Sequence, residues 1–187
     1  MKRLIMLVIL VLSMVPMIVN CGGGGGKTAA YANGLLYVRD FEDYSAPLGK
    51  IYDALTGNIT GTFGPIGISR IPIPAFDSRA GYFLNSGTLQ SMNLSATTVN
   101  WNFAGDGHLV SAPIVIDQVV IIGSSTGNVY ALSAQNGSQL WVGAAGSGIS
   151  APDEQNVSQP LTGFGVANGY LVVPAGNTIT AWLLTGP

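Results

Sequence analysis

The side chains able to do chemistry are few and scattered. The chain of 187 residues has one histidine and one cysteine. His108 follows Asp106 and Gly107. A lone histidine cannot form the ligand cluster that zinc takes. With an aspartate and a serine it could complete a nucleophilic triad, but no Gly-x-Ser-x-Gly elbow accompanies it. Gly146-Ser147-Gly148 lies in a turn-like run, so His108 reads as a loop residue between repeats. Asp40, Glu42 and Asp43 form one acidic loop. Calcium takes about six to eight oxygen ligands, and no Asp-x-Asp-Gly loop is present, so this loop reads as solvated. Gly22 to Gly26 is no phosphate cradle, because no strand precedes it and no Lys-Ser/Thr pair closes it. It reads as a flexible tether. The sequons at Asn58, Asn93, Asn136 and Asn156 read as turn and strand residues. No catalytic residue, no cofactor and no metal is expected.

The N-terminal segment carries a different chemistry. Lys2 and Arg3 precede an uncharged run from Leu4 to Val19, followed by Asn20, Cys21 and the five glycines. A positive n-region with an apolar h-region is the pattern of an export signal. The run of 16 residues is short for a span of about 20. Ile18-Val19-Asn20-Cys21 resembles the end of a bacterial lipoprotein signal, with Asn20 where a small residue is usual. The resemblance implies that residues 1–20 are removed and that Cys21 is lipidated. It implies a mature chain anchored to a membrane, facing the periplasm or the cell surface. Gly22 is not the acidic residue that retains some lipoproteins at the inner membrane, which points to the outer membrane. An uncleaved anchor and simple secretion are the other two readings. Without residues 1–20, five basic residues stand against nine acidic ones, a formal charge of −4. That is no footprint for nucleic acid.

These residues must be positioned by strands. From Lys27 onward, short alternating apolar runs are broken by Gly, Asn, Ser and Pro, the pattern of an all-β fold with frequent turns. The run from Pro113 to Gly127 reads as a hairpin with Asp117-Gln118 at its turn, and Gly127 to Trp141 as a second hairpin turning over Ser133 to Gly137. About four short strands in about 40 residues is the period of one propeller blade. Shifted back by 40, Gly127 falls on Gly87, Val129 on Leu89, Leu132 on Met92, Trp141 on Trp101 and Asp117 on Asp77. An earlier copy runs through Ala32 to Val38 and Gly49 to Gly57. Two alignments of it remain open, one placing Phe63 at the tryptophan position and the other Gly61. A last copy starts at Val166, whose VANGYLVV echoes the YANGLLYV at Tyr31. Four repeats are expected, at 29–64, 65–104, 105–146 and 147–187, with residues 21–28 a tether and the last repeat short of its outer strand.

At Gly127 to Trp141 the pattern Gly-x-Val-Tyr-Ala-Leu-x-Ala-x-x-Gly-x-x-x-Trp resembles the PQQ-like, or quinoprotein alcohol dehydrogenase-like, β-propeller repeat. Asp53-Ala54-Leu55-Thr56-Gly57 resembles its Asp-Ala-x-Thr-Gly turn. The resemblance implies an all-β, propeller-like fold of about four blades, with Trp101 and Trp141 docking each blade on the next. Four blades suit a small or open propeller, a shortened copy of a longer gene, or two chains completing one ring. Enzymes of this family use a calcium-held quinone and often a pair of adjacent cysteines. The single cysteine and scattered carboxylates argue against that chemistry, and a partial or degenerate quinoprotein is the alternative. The expected function is binding or scaffolding through blade edges and loops, chiefly the acidic loop and the insertion with Asp153 and Glu154. A lipoprotein of outer-membrane assembly carries this repeat, so envelope proteins are the expected partners.

Overall fold

The computed structural model describes residues 29–38, 49–63, 72–94, 98–152 and 163–184. These residues form four antiparallel sheets, each a meander of strands taken in chain order, with no helix among them. The first sheet holds β1 (Ala29–Ala32), β2 (Leu35–Val38), β3 (Gly49–Asp53) and β4 (Ile59–Phe63). The second holds β5 (Ala75–Phe76), β6 (Ala80–Asn85), β7 (Thr88–Asn93) and β8 (Val99–Phe103). The third holds β9 (Ile114–Ile116), β10 (Val119–Gly123), β11 (Asn128–Ser133) and β12 (Gln139–Ala144). The fourth has three strands among the described residues: β13 (Gly165–Ala167), β14 (Tyr170–Ala175) and β15 (Thr178–Leu183). The sheets are blades of a β-propeller, with β1 against β5 and β5 against β9.

Turn chemistry sets the register. Asn33-Gly34, Ser86-Gly87, Asp117-Gln118 and Asn168-Gly169 each place two residues at positive φ. That is the type I′ geometry whose twist matches the flanking strands. The outer hairpins β3–β4, β7–β8 and β11–β12 share one irregularity, a register shift at Ile51/Tyr52, Ser91/Met92 and Ala131/Leu132. Such a bulge sets two residues opposite one and re-aims the strand. It also makes the hairpins superimposable residue by residue. Ser91 faces Trp101, Ala131 faces Trp141 and Ile51 faces Gly61. Gly61 therefore occupies the tryptophan position of the first blade. Phe63 pairs with Gly49 instead and is buried.

Because side chains alternate across a sheet, each blade has a forward face toward the next blade and a rear face toward the previous one. Tyr37, Ile51 and Phe63 of the first blade meet Phe83 of the second, with Phe76 and Met92 packed alongside. The second blade's forward residues Tyr82, Leu84 and Leu89 meet Val120, Ile122, Tyr130 and Leu132 on the rear of the third. The third blade's Ile121 and Val129 meet Leu171, Val173 and Ala175 of the fourth. A strand covered on both sides has no polar face to show. This accounts for the unbroken run Val119-Val120-Ile121-Ile122 in β10, whose last three residues are buried, and each such side chain contributes about 1.5–3 kcal/mol.

Candidate interaction surface

Trp101 sits on the forward side of β8. Its indole N–H donates to the Ala134 carbonyl of the third blade at 3.0 Å. The ring lies 5.9 Å from that of Tyr82. It also covers Gly137, where a Cβ would come within 2.7 Å of the indole. The Trp101 ring thus reaches from one blade onto the outer turn of the next. Trp141 on β12 points the same way but meets a ring rather than a turn. It stands edge-on to Trp182 of the fourth blade, with centroids 5.2 Å apart, and it lies over Gly143 of its own strand. Thr178 and Thr180 of β15 both donate to the Ala145 carbonyl, at 3.2 and 2.9 Å.

The polar chemistry gathers on Asp106, between the second and third blades. One of its oxygens accepts from Ser124 Oγ at 2.7 Å, from Asn128 Nδ2 at 3.0 Å and from Thr126 Oγ1. The other accepts from the His108 backbone N–H at 3.0 Å. Partial desolvation works to raise its pKa. The bonds from Thr126, Ser124, Asn128 and His108 outweigh this and hold the carboxyl well below the usual carboxylate range. Asp106 is therefore a fixed anion that pins the loop before β11. Ser124 is fully buried and binds Asp106 directly. This Asp and Ser pair with no imidazole between them, so the arrangement differs from a Ser-His-Asp relay.

A second cluster lines an open cleft of about 450 Å³ walled by Phe76, Asp77, Ser78, Arg79, Val115, Asp117 and Gln118. Asp77 accepts from the backbone N–H groups of Arg79 and Ala80 at 2.7 and 2.8 Å, and from the Tyr82 hydroxyl at 2.8 Å. Desolvation raises its pKa, but these bonds lower it further and keep it ionised. Burial and the bond to Asp77 push the Tyr82 phenol well above its ordinary value. Arg79 donates to Gln118 Oε1 at 3.4 Å across the blade boundary. The cleft thus presents a guanidinium, two carboxylates and an amide at the boundary of two blades. Sequence reasoning did not single it out as a site. The signal was present, since Asp77 and Asp117 are 40 residues apart and both line this cleft.

The quinone cofactor implied by the repeat family needs a calcium ligand set. No group of three or more His, Cys, Asp or Glu side chains comes together among the described residues. Cys21, the acidic loop with Asp40, Glu42 and Asp43, and the insertion with Asp153 and Glu154 lie outside the described residues. Among the described residues, no helix is long and apolar enough to cross a membrane.

No family model matches the chain. Over 57 residues, 30% of its length, it is 37% identical to the outer membrane protein assembly factor BamB of Shewanella oneidensis, and the match spans 14% of that protein. Its fold is similar to the crystal structure of BamB from Moraxella catarrhalis, with a TM-score of 0.59 at 15% identity, covering 82% of this chain and 41% of that one. It is also similar to the quinohemoprotein alcohol dehydrogenase of Comamonas testosteroni, with a TM-score of 0.51 at 20% identity, covering 74% of this chain and 23% of that one. The chain thus spans less than half the length of these BamB and quinohemoprotein relatives. Its four sheets are built like the blades of propellers of the BamB and quinoprotein type.

Proposed function

We propose that this chain is a lipid-anchored propeller module of the cell envelope that binds other envelope proteins during outer membrane protein assembly. The observation carrying this reading is the 37% identity over 57 residues to an outer membrane protein assembly factor, on a chain whose sheets resemble part of the BamB propeller. Anchoring rests on Cys21 at the end of the apolar run, followed by Gly22 to Gly26. Binding is assigned to loops at the blade rims, where function concentrates on a rigid scaffold. The cleft of Asp77, Arg79 and Gln118 joins the loops of Asp40 to Asp43 and of Asp153 and Glu154 in that role. The module is read as non-catalytic, with Asp53, Asp77 and Asp106 among the described residues holding the turns beside them.

The test is complementation. In a strain lacking its BamB, the full chain is expected to restore part of the lost outer membrane protein. Alanine blocks over residues 40–43 and 153–154, with Arg79→Ala, are expected to abolish that rescue at unchanged chain level. Full rescue by the blocked chain, or none by the unaltered one, refutes the proposal. Reconstitution with calcium and PQQ addresses the quinoprotein reading, and a redox-active absorbance would overturn the non-catalytic assignment.

A further inference from the structure

The three boundaries between blades follow one rule, forward face onto rear face, and among the described residues two faces are left over. On the fourth blade the forward positions are Tyr170, Val172 and Ile179, with Ala181 and Leu183 paired beside them. Val172 faces Ala181 just as Ile121 faces Ala131 in the third blade, where Ile121 is buried. On the fourth blade these positions are open: Tyr170 is 47% exposed, Ile179 76% and Leu183 59%. On the first blade the rear positions are Tyr31, Leu36, Tyr52 and Ile59 in one row across β1 to β4, with Ala29, Val38, Lys50 and Thr62 in a second. Tyr31 is 64% exposed.

The central strand of each face has the composition of a covered one, and Lys50 and Thr62 lie toward one side of the first blade's face. A strand with one wet side alternates apolar and polar residues. β14 reads Tyr-Leu-Val-Val-Pro-Ala and β2 reads Leu-Leu-Tyr-Val, apolar on both sides like the sandwiched β10. One is a forward face and the other a rear face, so each lacks the kind of surface that the other supplies.

We infer that the forward face of the fourth blade docks on the rear face of the first blade of a second copy of this chain. With two copies, the same contact forms twice and the series of blades closes into a ring. A heterologous contact of this kind makes a ring when its rotation closes.

The test is the mass of the chain in solution, in a Cys21→Ser background without residues 1–20 so that no lipid intervenes. Twice the mass of one chain is expected at tens of micromolar, while one mass, or an open ladder of higher masses, overturns the ring. Val172→Glu and Leu36→Glu are each expected to give single chains with unchanged far-ultraviolet dichroism, and their equimolar mixture to regain pairs through the one intact contact. A Leu36→Glu chain that still pairs alone would mean like faces meet, which also overturns the inference. A chain carrying Leu36→Cys and Ala181→Cys is expected to form a disulfide between chains. The same disulfide at the mass of one chain would mean self-closure and refute it. None of these readings depends on a role in envelope assembly.

Discussion

Gly57 and Gly137 make a matched pair for measuring what blade docking contributes. Each closes the outer hairpin of its blade at nearly the same φ, 72° and 73°. Each donates its N–H to the carbonyl four residues back, Asp53 or Ser133, at 2.8 Å. They differ in what lies above them. A Cβ on Gly57 would meet nothing within 4 Å, whereas one on Gly137 would sit 2.7 Å from Trp101 Cδ2 and Cε3. Replacing either by alanine incurs the left-handed penalty of about 1–2 kcal/mol, and this cancels in the comparison. Gly137→Ala must also displace a ring held by Tyr82 and by its bond to Ala134, an overpacking cost of about 1–3 kcal/mol. With a urea slope of about 2 kcal/mol per molar, the Gly137→Ala midpoint should fall below that of Gly57→Ala by about 0.5–1.5 M. In a Trp101→Ala background the excess should vanish, because the obstructing ring is gone. Equal midpoints for the two single variants, or an excess that survives without Trp101, would refute the docking geometry.

Three further outcomes are expected. Trp101→Phe keeps most of the ring contact but strands the Ala134 carbonyl, and should lower stability by about 1 kcal/mol in the same urea titration. Asp106 has its folded-state pKa depressed, so its contribution is present above the ordinary carboxylate value and is lost as pH falls below it. Urea midpoints of the unaltered chain should therefore begin to drop near about pH 4 and keep dropping as pH falls through the depressed folded-state value, and Asp106→Asn should flatten that drop; an unchanged slope counts against the anchoring role of Asp106. Cys21→Ser should move the chain from the membrane to the soluble fraction of exported protein, and an unmoved chain argues against lipidation.

The fold was legible where apolar spacing and turn chemistry agreed. Asp117-Gln118 and Asn33-Gly34 sit between alternating runs, and both form the turns that those runs require. The coincidence of Trp101 with Trp141 is mirrored in register, since both follow the same bulge. The first blade was less readable, because Gly61 has no side chain to mark the tryptophan position. The extra residue of a bulge shifts the count by one, which is why Phe63 competed for that position. The Asp106 cluster was hidden for another reason. Its donors Ser124, Thr126 and Asn128 lie about 20 residues further along the chain, around the β10–β11 turn, and single polar residues in loops carry no period. The unmatched faces were also hidden, because an apolar strand reads the same whether or not anything covers it.

Among the described residues, the boundary between the second and third blades buries ten hydrophobic residues, against seven for the third and fourth and four for the first and second. Strength is thus concentrated toward the middle of a linear series in which each unit leans mainly on its neighbours, as in other repeat proteins. Such a series opens locally at its ends before it unfolds as a whole. In amide hydrogen exchange, β6, β7, β10 and β11 would then form the slowest-exchanging unit and β1 and β15 the fastest. Closure with a second copy would leave no end from which to fray. Exchange at Ala30 and Thr180 would then slow with rising protein concentration, and the outermost strands would report on assembly while the central ones did not.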